Sequence, residues 1–167
     1  VNFSRPPWLQ DFVRRDVPST SRSEVAMTKW TFNAWGDKYD SLLPDNGIPL
    51  QLQPHLGLPL FEAGIVMEGG SLEVNGLGTL MTSSHCLLNK NRNPHLSKSE
   101  IEKYLKDYLG VGNILWLGDG IAGDDTDGHI DDLTRFIDPQ TVVTAIEEDP
   151  KDENHPILRD NLKRLKM

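Results

Sequence analysis

Residues 63–82 read AGIVMEGGSLEVNGLGTLMT. Short strand candidates with clear punctuation fill this stretch. Ala63–Met67 stops at Gly69-Gly70, Ser71–Val74 stops at Asn75-Gly76, and Thr79–Thr82 returns. Asn-Gly between two apolar runs is a type I′ hairpin signal, because both central residues of that turn need positive φ. Strands joined by so tight a turn are antiparallel. A doubly wound parallel sheet needs a crossover between its strands, so the hairpin argues for a mixed α/β fold of another kind.

On the N-terminal side, Gly47–Leu60 carries Pro49, Pro54 and Pro59, which limit any helix to a short piece. Asn33–Pro44 reads as loop, and Glu24–Phe32 alternates well enough for a strand. Val1–Ser23 reads as irregular, broken by Pro6-Pro7 and Pro18. Its Arg14-Arg15-Asp16 triplet is by default a surface charge cluster. On the C-terminal side, Asn89–Leu96 (NKNRNPHL) is turn-rich. Ser97 and Glu100 then have capping-box spacing, Ile101, Leu105, Tyr108 and Leu109 form one helical face, and Gly110 supplies the stop. Asn113–Leu117 (NILWL) reads as a strand buried on both faces. His129–Ile137 and Thr141–Ile146 read as strands, and Pro156–Lys166 as a helix. The order is β, ββ, α, β, ββ, α.

The chain has 167 residues, enough for one domain, and a chain this long buries about 70% of its unfolded surface. Seventeen basic against 25 acidic residues give a net charge of −8 and a pI near 5.0. That balance argues against non-specific nucleic-acid binding and mildly favours a cationic or neutral partner. The single cysteine, Cys86, allows no intrachain disulfide, and the plain reading is a reducing, cytoplasmic setting. No apolar run approaches the roughly 20 residues of a membrane span, and no signal-like segment opens the chain.

The chemistry concentrates in Gly118–Asp132, GDGIAGDDTDGHIDD, which holds six Asp and one His in 15 residues. Aligning Asp127-Gly128 to a calcium loop puts Gly123 at position 1 and Thr134 at position 12, where such a loop needs Asp and Glu. The bland alternative is a solvated acidic loop. The loop ends in His129-Ile130-Asp131 at the start of a strand candidate, where alternation puts His129 and Asp131 on one face. An imidazole beside a carboxylate can do acid/base work and bind a cation. Glu68, after a buried-looking strand and before two glycines, either reaches water or serves the same site.

Read together, NAWGDKYD (33–40), EGGSLEVNGLGTLMTSSHCLLNKNRNPHLS (68–97) and GDDTDGHIDDLTRFIDP (123–139) closely resemble the agmatine deiminase family. That family belongs to the pentein, or guanidine-modifying, superfamily, with the bacterial peptidylarginine deiminases. The resemblance runs from about Asp11 to the end of the chain, and the NAWG and NRNPHLS wording looks more like agmatine deiminase.

The resemblance implies hydrolysis of the agmatine guanidinium to a ureido group, giving N-carbamoylputrescine and ammonia, a step of putrescine and polyamine biosynthesis. It carries the two gripping carboxylates onto Asp16 and Asp131, the acid/base histidine onto His129, and the glutamate that orients that histidine or shares its charge work onto Glu68. Two carboxylates suit this substrate because a planar guanidinium donates bidentately. Val13 stands where the family usually has Trp, and Val17-Pro18-Ser19-Thr20 replaces its Gly-Pro-Thr.

The family nucleophile is a cysteine in a Gly-rich motif near the C-terminus, beyond where this chain stops. Cys86 matches a family cysteine with another role and is expected to be a small buried hydrophobe. No metal or organic cofactor is implied, because the covalent thiol route needs none.

The implied fold is a partial pentein α/β propeller of ββαβ modules, residues 1–167 holding two to three of them. The chain is expected to be a fragment lacking both ends, inactive alone, with bare module edges that make it unstable or self-associating. Its partner is a small cationic guanidinium substrate, with no nucleic acid and no membrane, and family members commonly form homo-oligomers. The alternatives are a peptidylarginine deiminase-type hydrolase, a truncated guanidinium-binding module without activity, and a piece of a larger protein with no separate role.

Overall fold

A computed structural model describes residues 25–167. The readings made for Val1–Ser23, Asp16 among them, lie outside the described residues. The strands are β1 (Met27–Thr31), β2 (Leu60–Val66), β3 (Glu73–Val74), β4 (Thr79–Ser83), β5 (Asn113–Leu117), β6 (Thr134–Asp138) and β7 (Thr141–Thr144). The right-handed helices are α1 (Ile48–Leu56), α2 (Ser84–Leu87), α3 (Lys98–Leu109) and α4 (Asn154–Leu165). The fold is mixed α/β.

β1 and β2 pair in parallel, with α1 in the connection. β3 and β4 form the hairpin, and β5 adds in parallel to β4 after α3, giving the order β3-β4-β5. β6 and β7 form a second hairpin, followed by α4. One complete hairpin-helix-strand unit is therefore flanked by a strand-helix-strand unit and a hairpin-helix unit. Glu73 of β3 ties the second hairpin to the first, accepting from Arg135 Nε and from the Phe136 amide, both at 2.8 Å.

Adjacent residues of a strand face opposite sides, and β4 uses both. Leu80 packs with Ile65, Leu87, Ile101 and Leu105, while its neighbour Met81 packs with Leu117, Ile130, Leu133 and Leu158. The middle sheet thus has a core on each face, one covered by α3 and the other by α4. The α3 capping box forms as its sequence predicts: the Ser97 side chain meets the Glu100 amide and Glu100 Oε2 accepts from the Ser97 amide. Gly110 ends that helix at φ 66°.

Several expectations need correction. The 33–44 segment is helical, not loop: a turn over Ala34–Asp37 leads into a 3₁₀ helix over Asp40–Gly47. By contrast, the proline-rich stretch gives only a short helix, as expected: α1 has nine residues, with Pro49 in the first turn, where its missing N–H is not needed, and Pro54 inside. The first hairpin turn is longer than type I′: the Asn75 amide donates to Thr79 O, and Asn75 Oδ1 accepts from the Leu77 and Thr79 amides. β5 is not buried on both faces; it lies at the edge of its sheet among the described residues, and Leu115 is 37% exposed. His129 and Asp131 do not lie on a strand, because a 3₁₀ turn over Ile130–Asp132 precedes β6.

Asn161 of α4 positions the start of the acidic loop. It is buried, its Oδ1 accepts from the Gly118 amide at 2.7 Å, and its Nδ2 donates to Asp119 O at 2.9 Å. Removing it strands the buried Gly118 amide, worth about 1–3 kcal/mol, and frees the carbonyl of Asp119, an exposed residue that water can reach. Asn161→Ala is expected to destabilise the full-length protein by about 1–3 kcal/mol, read as a lower urea midpoint at unchanged m-value. An unmoved midpoint would show that other groups or water replace both bonds.

Candidate active site

Glu68 follows β2 and opens a 3₁₀ turn over Gly69–Ser71, an irregular stretch that turns its side chain inward. It does not reach water: its side chain is 3% exposed. Its Oε1 accepts from Arg92 Nε at 2.7 Å. Its Oε2 lies 3.4 Å from His129 Nε2 and accepts from the Cys86 thiol at 3.5 Å. Burial pushes the Glu68 carboxyl up, but the hydrogen bond from His129 and the charge of Arg92 more than offset this and hold it below the usual range.

An ionised carboxylate only accepts, so Nε2 of His129 carries the proton of that contact. Nδ1 then looks the other way, toward Asp131 Oδ1 at 3.9 Å. His129 is buried, whereas the Asp131 side chain is 37% exposed. The three predicted residues inside the described chain therefore converge, in the order Glu68, His129, Asp131, from a closed interior to an open side. Gly70 makes the convergence possible. A Cβ there would lie 2.8 Å from Asp131 Oδ2 and collide with His129 Nδ1.

Sequence reasoning missed Arg92, in the segment read only as turns. Asn93 places it. The Asn93 side chain pairs with both backbone groups of Val66, accepting from N at 2.9 Å and donating to O at 2.8 Å, which locks the NRN turn beside the end of β2. Besides Glu68, Arg92 donates through Nη1 to Asp127 Oδ2 and Asn91 Oδ1, both at 2.8 Å, and through Nη2 to Thr126 O at 2.9 Å.

The acidic loop keeps an exposed side, Asp125 included, but hydrogen bonds tie it down. Asp124 Oδ2 accepts from the Gly128 and His129 amides, and its Oδ1 accepts from the Thr126 amide. Asp125 takes the Tyr39 hydroxyl. Asp127 binds Arg92, Asn91 Nδ2 at 3.0 Å and Lys38 Nζ at 2.6 Å. Burial pushes the Asp127 carboxyl up, and the hydrogen bonds from Lys38, Asn91 and Arg92 overcome this and hold it at about 2. Its stabilising contribution is present above the ordinary carboxyl range and is lost as the pH falls toward that value.

Lys38 comes from a strained piece of backbone. Ala34, Trp35, Gly36 and Asp37 all have positive φ, at 53, 55, 86 and 61°. A left-handed turn costs roughly 1–2 kcal/mol per L-residue. Asn33 holds it, accepting from the Gly36 amide at 3.0 Å and donating to Asn91 O at 2.8 Å. The Trp35 ring packs edge-on against Phe32 and Tyr39, with centroids 5.7 Å away in each case. The turn lays Gly36 on the guanidinium: a Cβ there would be 2.5 Å from Arg92 Nη1.

Glu68, Cys86 and His129 offer ligand atoms within 4.8 Å of one another. The donor set fits a metal poorly. Arg92 already neutralises Glu68, and burial together with the Glu68 charge pushes the Cys86 thiol far up, so the sulfur holds its proton. That also separates Cys86 from nucleophilic chemistry, which needs a thiolate in an electropositive, open site.

Comparison with known proteins bears on this arrangement. Residues 6–167 match the profile of the Porphyromonas-type peptidyl-arginine deiminase family. The chain belongs to that family. It is 41% identical over 168 residues to the agmatine deiminase of Pseudomonas syringae pv. tomato, covering 92% of this chain and 43% of that one. A Cys-to-Ser variant of C. jejuni agmatine deiminase, solved with substrate bound, superposes with a TM-score of 0.77 at 45% identity, over 83% of this chain and 42% of that one. The agmatine deiminase of Enterococcus faecalis gives 0.78 at 40% identity, over 84% and 40%. The chain thus spans less than half the length of these relatives.

Two outcomes test the site geometry. Gly36→Ala is expected to destabilise by about 3 kcal/mol or more, through strain plus the collision with Arg92. Gly57→Ala, where φ is 63° but nothing lies within 4 Å, should cost only about 1 kcal/mol; equal losses would contradict the packing argument. Cys86 should resist iodoacetamide in the native protein at about pH 8 and react once urea unfolds it, as read by peptide mass spectrometry. Alkylation of native protein at the rate of an exposed thiol would contradict its burial.

Proposed function

We propose that these residues form the acid/base and guanidinium-gripping half of an agmatine deiminase, and that the full-length protein hydrolyses agmatine to N-carbamoylputrescine and ammonia. The observation that carries this reading is His129 held between a buried carboxylate on Nε2 and a part-open carboxylate on the Nδ1 side. The 40–45% identity to agmatine deiminases over most of the chain supports it.

In this reading Asp131 binds the guanidinium N–H groups, and Asp16 is proposed as the second grip from the segment outside the described residues. A thiolate outside these 167 residues attacks the guanidinium carbon and forms a C–S bond. His129, protonated on Nδ1, gives that proton to the departing nitrogen as the C–N bond breaks and ammonia leaves. Nδ1 then takes a proton from water as the oxygen attacks carbon. The C–S bond breaks, the thiolate is restored and the ureido product departs. Glu68 keeps Nε2–H in place throughout and balances the imidazolium.

The succession of β1–α1–β2, β3–β4–α3–β5 and β6–β7–α4 supports consecutive ββαβ modules of a pentein propeller, two to three within this chain. Residues 1–167 are thereby proposed as part of one catalytic domain.

The test is ammonia release from agmatine by the full-length protein, with a peptidyl arginine as the competing substrate that the family description suggests. Agmatine should have the higher kcat/KM. His129→Ala should lower kcat by about 100-fold or more. A higher kcat/KM for peptidyl arginine, or a His129→Ala variant that keeps a tenth of wild-type turnover, would overturn the proposal.

A further inference from the structure

The proposed reaction leaves Arg92 without a part, since it touches neither Asp131 nor the open side of His129. We propose that Arg92 is a positioning residue for this reaction: by fixing Glu68 through one oxygen, it decides which nitrogen of His129 faces the substrate. The inference rests on the agmatine deiminase reading and adds to it.

Geometry comes first. The Arg92 side chain is fully buried, and its planar fork is gripped by acceptors of four residues: Glu68, Asn91, Thr126 and Asp127. A guanidinium held in this way cannot rotate. The Gly36 backbone closes one side of it, where even a methyl group has no room. Glu68 Oε1 is consequently committed to Arg92 Nε, and only Oε2 is left for His129 Nε2 and the Cys86 thiol.

Charge then fixes the proton. Arg92, Cys86 and His129 surround Glu68, with Asp127 beyond the guanidinium and Asp131 beyond the imidazole. Arg92 is the permanent cation of this set. Without it, a buried carboxylate takes up a proton and becomes able to donate to Nε2. The imidazole would then carry its proton on Nδ1, the nitrogen that has to accept from water. The left-handed turn is consistent with this role: it bears backbone strain while placing Gly36 on Arg92 and Lys38 on Asp127.

A merely structural ion pair would fill the same space, so the test separates the two. In the full-length enzyme, Arg92→Gln is expected to lower kcat about 10–100-fold, the range seen when groups that orient a working ligand are removed. KM should stay within about threefold, because Arg92 does not meet the substrate. The acid limb of the kcat profile should move to higher pH, because Glu68 protonates more readily. Arg92→Lys keeps the charge but not the fork, so its acid limb should stay in place while kcat still falls.

Thermal melts score the folded fraction of each variant, and turnover is expressed per folded molecule. Should wild type turn over no guanidinium substrate, the functional reading fails. Should wild type be active while folded Arg92→Gln keeps its kcat and acid limb, the positioning role alone is overturned. Failure of both variants to fold would make Arg92 structural and likewise overturn it. If only Arg92→Lys folds, an undiminished kcat overturns the proposal and a diminished one at an unmoved acid limb sustains it.

Discussion

Burying Glu68 beside an imidazole and a thiol would cost several kcal/mol if it stood alone. Arg92 removes that penalty, and the rest of the site follows from how the pair is built. The guanidinium is buried with the carboxylate, so both have given up water and each depends on the other. A pair of this kind contributes little net stability compared with an apolar replacement, because its attraction mostly offsets desolvation. What it supplies is orientation. One oxygen of Glu68 belongs to Arg92, the other to His129 and Cys86, and neither can be traded without breaking a buried bond.

Around that pair, the fold joins segments distant in sequence. Asn93 reads the edge of β2 as a strand would and brings Arg92 to Glu68. Asp127 draws the acidic loop onto Arg92, and Lys38 and Tyr39 clamp the same loop from the N-terminal side. The loop then delivers His129 with its amide tied to Asp124. Six aspartates in one segment look like a surface charge or a cation trap. Here Asp124, Asp125 and Asp127 fasten the loop through hydrogen bonds, and Asp131 is left toward the open side.

Much of this was legible in the chain and some was not, for physical reasons. Short-range rules found the hairpin strands, the capping box of α3, the Gly110 stop and the helix near the C-terminus, because each depends on neighbours a few residues away. The convergence of His129, Asp131 and Glu68 was expected from motif resemblance, and the period-2 argument for His129 and Asp131 reached a true proximity by a wrong route. A 3₁₀ turn, not a strand, puts them together. Arg92 was invisible because three of its four partners lie 24 to 35 positions away and its own segment reads only as turns. The left-handed turn escaped notice since Ala, Trp and Asp do not favour positive φ, and only tertiary contacts hold them there. Exposure of β5 could not be foreseen from an unbroken apolar run, because that pattern says nothing of sheet order.

The Glu68–Arg92 pair turns His129 so that Nε2 bears the proton and Nδ1 faces the open side. Long-range ¹H–¹⁵N correlation spectra of the full-length protein, with His129 assigned, test this directly in the neutral imidazole. The expected result is the Nε2–H tautomer, with the Nδ1 shift of an unprotonated nitrogen. The Nδ1–H tautomer would contradict it.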